Sequence, residues 1–335
     1  MSHQAADLAE RCGAAKWAAM SRGNLAYQHF ARQDYRGADF HLAIALEWAG
    51  KIEVEDHRLE TEAKLLTVSA MVARERCRFD EARATLQAVL ARGETLGAQR
   101  LQLGALDNLA IAAANRGRWH ESVEWAERMR ALADSIGALP RVAHADQHLA
   151  LAAEALGDHE TAVHRHLQVL ALTRANGDRV HEVSSLQRLG ALHRKRGDAS
   201  AATQWHVQAQ ALYLTLEDAV GECVAAAHAA LCQVRLGEPA LALASVEMLL
   251  QRLGGELADR PAHETIELRS TCQQVLHALG DARAANLLEQ LVADVHTRAG
   301  ELTDAADRDR LIQAIPHFRD IVAAHQRRGA PAAGG

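Results

Sequence analysis

Apolar residues recur three and four positions apart in a series of segments along this chain. LGALDNLAIAAANR, VAHADQHLALAAEAL and VSSLQRLGALHRKR are three of these segments. This period places the apolar side chains on one face of an α-helix, and the polar residues between them on the other. The pattern therefore predicts a succession of amphipathic helices, each with one packing face.

Glycines mark the ends of these segments at a regular spacing of about 20 residues. They are Gly97, Gly117, Gly137, Gly157, Gly177, Gly197 and, after a lapse at Glu217, Gly237. A helix commonly ends at a residue that tolerates positive φ, and glycine does so at the lowest cost. That spacing, less about four residues for a turn, leaves helices of roughly 16 residues. It predicts helical hairpins of about 40 residues that stack as a repeat protein.

Aligning the turn inside each hairpin gives seven units. The aligned residues are Gln33, Cys77, Gly117, Gly157, Gly197, Gly237 and Gly280. The predicted fold class is all-α, a right-handed α-α superhelix over residues 1–328. Its predicted parts are a half-hairpin 1–13, hairpins 14–50, 51–97, 98–137, 138–177, 178–217, 218–257 and 258–300, capping helices 301–328 and a disordered tail 329–335.

Two stretches resemble the tetratricopeptide repeat. DNLAIAAANRGRWHESVEWAERM and NLAYQHFARQDYRGADF each carry Asn-Leu-Ala, followed by an aromatic and a small residue in the second helix. The usual repeat has about 34 residues, so these units belong to a longer variety. The end of the chain, Leu302 to His325, is similar to the C-terminal helical solenoids of the maltose-regulon activator and of ATPase-linked adenylate cyclase regulators. That resemblance implies a sensor arm that binds an inducer or an inhibitory protein.

The chain departs from those regulators in having no phosphate-binding loop. The pair Gly50 and Lys51 lacks both the upstream glycine and the following Ser or Thr. Neither end offers a helix-turn-helix with a basic recognition helix. We therefore expect the output module to lie on another chain or on residues upstream. The segment from Ala5 to Ala14 aligns with Arg130 to Ala138, so the chain opens inside a second helix, which is either a terminal cap or the remnant of a longer arm.

Composition narrows the classes of partner and compartment. The chain has a net charge of −6 and a pI near 6.3, which disfavours direct nucleic-acid binding. The chain has no uncharged apolar run that is long enough to predict a membrane span or a signal peptide. Five cysteines without a CxxC pair predict reduced thiols in a cytoplasmic protein.

Catalytic and metal-binding patterns are weak in this sequence. His144 and His148 stand at i and i+4, but Ala145 replaces the glutamate of the HExxH motif. His164 and His166 are expected on a solvated basic face, and most of the 19 histidines at the surface or in turns. No spacing of Ser, His and acidic residues indicates an active site. We expect neither enzymatic activity nor a cofactor or metal.

The first helices of the hairpins supply the better candidate site. In a tetratricopeptide repeat these helices line the concave side, and polar residues there can hydrogen-bond a peptide or a polar small molecule. The predicted groove residues are Asp107, Asn108, His144, Gln147, His148, Gln187, Arg188 and Arg194. An alternative role for Asn24 and Asn108 is to tie neighbouring hairpins together.

These residues predict a non-enzymatic arm that binds a protein or peptide in bacterial-type signalling or transcriptional regulation. The alternative is a solenoid that senses a small-molecule effector for a regulator on another chain.

Overall fold

A computed structural model describes residues 2–302 and 305–329, and these residues form seventeen α-helices without a strand. The helices are α1 Ser2–Arg11, α2 Ala15–Ala31, α3 Tyr35–Ala49, α4 Glu55–Glu75, α5 Phe79–Thr95, α6 Gln99–Asn115, α7 Trp119–Ser135, α8 Leu139–Ala155, α9 His159–Asn176, α10 Arg179–Lys195, α11 Ala199–Thr215, α12 Ala219–Arg235, α13 Pro239–Gly254, α14 Ala262–Ala278, α15 Arg283–Gly300, α16 Ala305–Ala314 and α17 Pro316–Gly329. Of the predicted tail, Gly329 ends α17 and 330–335 lie outside the described residues.

The turns carry the left-handed backbone conformation that the glycine spacing predicts. The glycines of the regular series all have positive φ, as do Gly13 and Gly280. Gln33, Cys77 and Glu217 adopt the same conformation, with φ of 59°, 59° and 56°. The lapse at Glu217 is therefore a change of residue type without a change of backbone conformation.

Aspartates that follow the turn residues begin the next helix. Five of them accept a hydrogen bond from the backbone N–H three positions further on, at 2.9 to 3.1 Å. They are Asp34, Asp158, Asp178, Asp198 and Asp218. An aspartate at this position satisfies one of the free N–H groups of the first helical turn. Each of these aspartates thus begins a helix directly after the turn residue that ends the previous one.

Small residues allow the two helices of a hairpin to approach closely. Ala82, Ala162 and Ala202 are fully buried five residues after their turn residue. At the equivalent position Ser122 is also buried, and its hydroxyl donates to the Ala110 carbonyl at 2.9 Å. In the last hairpin Ala284, four residues after Gly280, is the buried small residue.

The chain forms two compact units, one up to Ala152 and the other from Ala153. Successive helices pack against one another from α1 to α7 in the first unit and from α9 to α17 in the second. Apolar clusters fill the first unit between α2, α3 and α4, and the second between α12, α13 and α14 and again between α14, α15 and α17. Among the described residues, no helix is both long and apolar enough for a membrane span. The division into one solenoid and seven hairpins stays a prediction.

Candidate functional site

Polar side chains link the first helices of neighbouring hairpins, and we call these four pairs the first-helix ladder. Each pair joins residues 34 to 41 positions apart in the sequence, at distances of 2.6 to 3.4 Å. The pairs are Arg74 with Asn108, Asp107 with His148, Glu154 with Lys195, and His228 with Glu267. The apolar stripe of each helix faces the core, so its polar edge is left to contact the next repeat.

Asp107 on α6 contacts two side chains of α8. Its Oδ1 lies 2.6 Å from His148 Nε2, and its Oδ2 lies 3.6 Å from Arg141 Nη1. Burial raises the pKa of the Asp107 carboxyl, but the hydrogen bond from His148 and the nearby charges of His148, His144 and Arg141 outweigh it, so the pKa is lowered. Asp107 is thus held as a carboxylate.

Asn108 forms contacts in two directions from the same helix. Its Oδ1 accepts from Arg74 Nη1 of α4 at 3.1 Å, and its Nδ2 donates to the Gly104 carbonyl at 2.9 Å. A partly buried amide is costly unless it is hydrogen-bonded, and these contacts satisfy both of its ends. The geometry favours the role in which Asn108 ties two hairpins together.

Glu154, at the end of α8, has the corresponding role in the second unit, because side chains of α10 approach its carboxylate. Lys195 Nζ lies 2.7 Å from its Oε1, and Arg188 Nη1 lies 3.9 Å from its Oε2. Burial raises the pKa of Glu154, but the hydrogen bond from Lys195 and the Arg188 charge outweigh it and lower the pKa. Glu154 is not among the groove residues predicted from the sequence. The available signal was its sequence separation from Lys195, which equals that of Asp107 from His148.

The remaining predicted residues lie on the same helices. Gln187 and Arg194 accompany Arg188 on α10, and the Arg194 carbonyl accepts from Arg235 of α12 at 2.8 Å. Burial lowers the pKa of the Arg194 guanidinium. His144 and Gln147 are half-buried on α8. Of the eight predicted residues, five belong to the first unit and Gln187, Arg188 and Arg194 to the second. A single groove through all of them stays a prediction.

The expectation of a solvated face at His166 is wrong. His166 is fully buried, neither ring nitrogen has a hydrogen-bond partner, and burial followed by the Arg188 charge lowers its pKa to about 4. His206 stands one repeat later in the same environment, and burial lowers its pKa to about 3. The equivalent positions in other hairpins, Ala126 and Val246, are buried too. The repeat alignment could therefore have predicted that His166 and His206 are buried.

Comparison with known proteins rests on solved structures, since no family model and no curated protein matches the chain. A signal transduction ATPase with a tetratricopeptide repeat sensor from Pyrococcus horikoshii is 13% identical with a TM-score of 0.64, over 85% of this chain and 44% of that one. The present chain thus spans less than half the length of that protein.

Two further structures match over most of both chains. A Rap protein complexed with Competence and Sporulation Factor is 12% identical with a TM-score of 0.56, over 93% of this chain and 99% of that one. NprR in complex with its cognate peptide NprX is 12% identical with a TM-score of 0.55, over 90% and 85%. The narrower resemblance to the maltose-regulon activator stays a prediction. Similarity at these identities is one of fold, and it confirms that the chain folds as an all-α solenoid of tetratricopeptide-repeat type.

Proposed function

We propose that this chain is a non-catalytic regulatory module that binds a protein or peptide segment on the polar edge of α10, in the second unit. Two solved structures of the same fold hold peptide or protein factors, Rap with Competence and Sporulation Factor and NprR with NprX. The signal transduction ATPase has this fold as its sensor. These structures support a role in signalling, and the proposal places that role in signalling or transcriptional regulation within the cytoplasm.

The arrangement around Glu154 carries the proposal. Arg188 and Lys195 both approach this one carboxylate, and their side chains are 47% and 48% exposed, whereas that of Glu154 is 11% exposed. Taken by themselves, these two cations and one carboxylate carry a net positive charge. An acidic side chain of a partner would be attracted to this charge and could form charge-assisted hydrogen bonds with the exposed guanidinium.

Glu154 also offers an acceptor to the partner. Its Oε2 is buried and has no hydrogen-bond partner, because the 3.9 Å distance to Arg188 is too long for a hydrogen bond. A backbone N–H of an extended segment would satisfy this oxygen once the Arg188 side chain moves aside, because the oxygen itself is buried. Donor groups on α10 beside an acceptor group on α8 suit a peptide better than a uniformly charged ligand.

Selection of peptides from a random displayed library tests the proposal. We expect enrichment of acidic sequences whose affinity, measured by fluorescence anisotropy, falls about tenfold or more in Arg188→Glu and Lys195→Glu. Arg283→Glu, on the exposed start of α15, is the matched charge reversal and should leave affinity within about twofold. Equal binding by all three variants would overturn the assignment to α10.

The same proteins test the small-molecule alternative. A metabolite that binds the folded state raises the melting temperature with concentration, whether or not peptides bind. A shift with a metabolite, together with no enrichment of peptides, would replace the peptide proposal by a sensor of small molecules.

A further inference from the structure

Three histidines from three consecutive helices converge in the first unit. They are His3 on α1, His29 near the end of α2, and His41 on α3. One ring nitrogen of each lies within 4.8 Å of the other two. The ring centroid of His41 is 5.6 Å from that of His3 and 5.0 Å from that of His29. Their wide and unequal separations in the sequence form no local motif, so only the packing of the helices brings them together.

His41 is the buried member of this histidine cluster. Its side chain is 5% exposed, and its Nδ1 is buried without a hydrogen-bond partner. A buried polar nitrogen without a partner costs on the order of 1–3 kcal/mol. A metal ion bound to the cluster would offset part of this cost, which no described side chain does.

His29 is oriented as metal-binding histidines commonly are. Its Nδ1 lies 2.8 Å from Asp34 Oδ2, and because a carboxylate only accepts, Nδ1 carries the proton and Nε2 the lone pair. Asp34 is itself fixed, since its Oδ1 accepts from the Gly37 N–H at 2.9 Å. Gly37 is required here, because a Cβ at this position would overlap the His29 ring.

The charges around the histidine cluster suit a cation. Arg22 is the cation whose charge acts on His41, and it is bound by Glu10 at 2.5 Å and by Asp7 at 3.2 Å. Asp34 adds a third carboxylate on the side of His29. Three carboxylates against the charges of Arg22 and of Lys51, which acts on Glu10, leave the surroundings negative, and this attracts a metal ion.

We propose that His3, His29 and His41 bind a divalent transition-metal ion of the zinc class. Three imidazoles with one open position form a common Zn²⁺ site, and the exposed side of His3 leaves that position to water. Tetrahedral coordination at Zn–N distances of about 2.1 Å separates the nitrogens by about 3.3 Å. Nitrogens at the present limit of 4.8 Å therefore close by roughly 1.5 Å on binding, and the exposed His3 side chain can supply most of that movement. The ion would clamp α1 onto α2 and α3.

Titration of the full chain with Zn²⁺ in competition with a chromophoric chelator tests the site. His3→Ala leaves the buried core intact, and we expect it to remove one equivalent of tight binding, as should His29→Ala. Asp34→Asn should weaken the affinity for that equivalent of Zn²⁺ about tenfold, because Asp34 orients His29 without binding the ion. His57→Ala, an exposed histidine of α4 outside the cluster, is the control and should leave the titration unchanged.

Substitution of the buried His41 needs a second measurement, since the variant could lose structure. His41→Gln should keep the helical circular dichroism of the parent and lose the absorption bands that tetrahedral Co²⁺ gives in the parent protein. Zn²⁺ binding that survives His3→Ala and His29→Ala would overturn the site. Loss of Zn²⁺ binding in His3→Ala together with full binding in His29→Ala would also overturn the site, because His3 would then bind the ion as a single surface histidine.

Discussion

Turn residues of this chain share one backbone conformation across different residue types. Nine glycines and three other residues, Gln33, Cys77 and Glu217, have positive φ within the described residues. A side chain in this region costs roughly 1–2 kcal/mol, whereas glycine adopts it freely. The non-glycine turns are therefore strained, and the neighbouring helices must hold them in place.

Replacing Gly117 by alanine isolates this cost. Nothing lies within 4 Å of an added Cβ, so the positive φ of 72° is the only source of strain, and we expect Gly117→Ala to destabilise the protein by about 1 kcal/mol. Gly104 has equal space but lies inside α6, so Gly104→Ala should stabilise by up to about 1 kcal/mol. Urea denaturation measures both, and equal effects of the same sign would contradict the strain argument.

Buried histidines make the stability of the second unit depend on pH. The pKa of His206 is lowered to about 3, first by burial and then by the charges of His228 and Arg194. Above about pH 6.5 the ring is neutral in both folded and unfolded chains and has no effect. Below about pH 6.5 the unfolded chain binds a proton that the folded chain excludes, so stability falls until about pH 3.

We expect His206→Gln to lessen this acid destabilisation. Between about pH 7 and pH 5 the free energy of unfolding of the parent should fall by roughly 2 kcal/mol more than that of the variant. His164→Gln changes an exposed histidine of α9, and it serves as the control, whose pH dependence should match that of the parent. Urea denaturation at several pH values provides the measurement. A pH profile of His206→Gln that runs parallel to that of the parent would mean that His206 takes up a proton equally well in the folded and the unfolded chain.

Helix crossings depend on individual glycines that the turn pattern does not explain. Gly190 lies inside α10, and an added Cβ would come within 2.5 Å of the His206 ring on α11. His206 is buried and stacks on His228, with the ring centroids 5.2 Å apart, so it has no room to withdraw. The spacing of α10 and α11 is set by this pair.

We therefore expect Gly190→Ala to destabilise the protein by about 1–3 kcal/mol through overpacking. The same substitution in a His206→Ala background should cost nothing, because the space vacated by the ring accommodates the methyl group. A double-mutant cycle measured by thermal or urea denaturation gives the coupling energy of the pair. Additive effects would mean that the His206 ring does not limit how closely α10 and α11 approach each other at Gly190.

At the scale of the molecule, helices within a compact unit contact their near neighbours along the chain, as α4, α5 and α6 do in the first unit. Stability in such a repeat protein is approximately a sum of the repeats and the interfaces between neighbours. The two compact units, up to Ala152 and from Ala153, fit this description, since each has its own apolar clusters. Destabilisation should therefore spread only locally.

Hydrogen exchange with mass spectrometry tests this locality. Leu109 is fully buried in α6, and Leu109→Ala removes contacts worth roughly 2–5 kcal/mol. We expect protection to fall in α5, α6 and α7 and to stay unchanged in α12 to α15. Leu276→Ala, in α14, should give the reciprocal pattern. A uniform loss of protection in both variants would instead indicate a single cooperative unit.

Local rules within the sequence determined the helices and turns of this protein. Apolar spacing sets the packing face, glycine ends one helix and aspartate begins the next, and all of these act over a few residues. The regular glycine series even located the turn at Glu217, where the glycine is missing. Repeat alignment also brought Asp107, Asn108 and His148 into one polar group, because equivalent residues of neighbouring first helices meet.

Only the tertiary structure decided what each of those side chains contacts. Glu154 on α8 pairs with Lys195 on α10, and His166 is buried because its position faces the next helix rather than solvent. His3, His29 and His41 meet although their spacing has no period. Helix formation follows from neighbours along the chain, whereas burial, ion pairing and metal ligation follow from distances between helices, which no local pattern encodes.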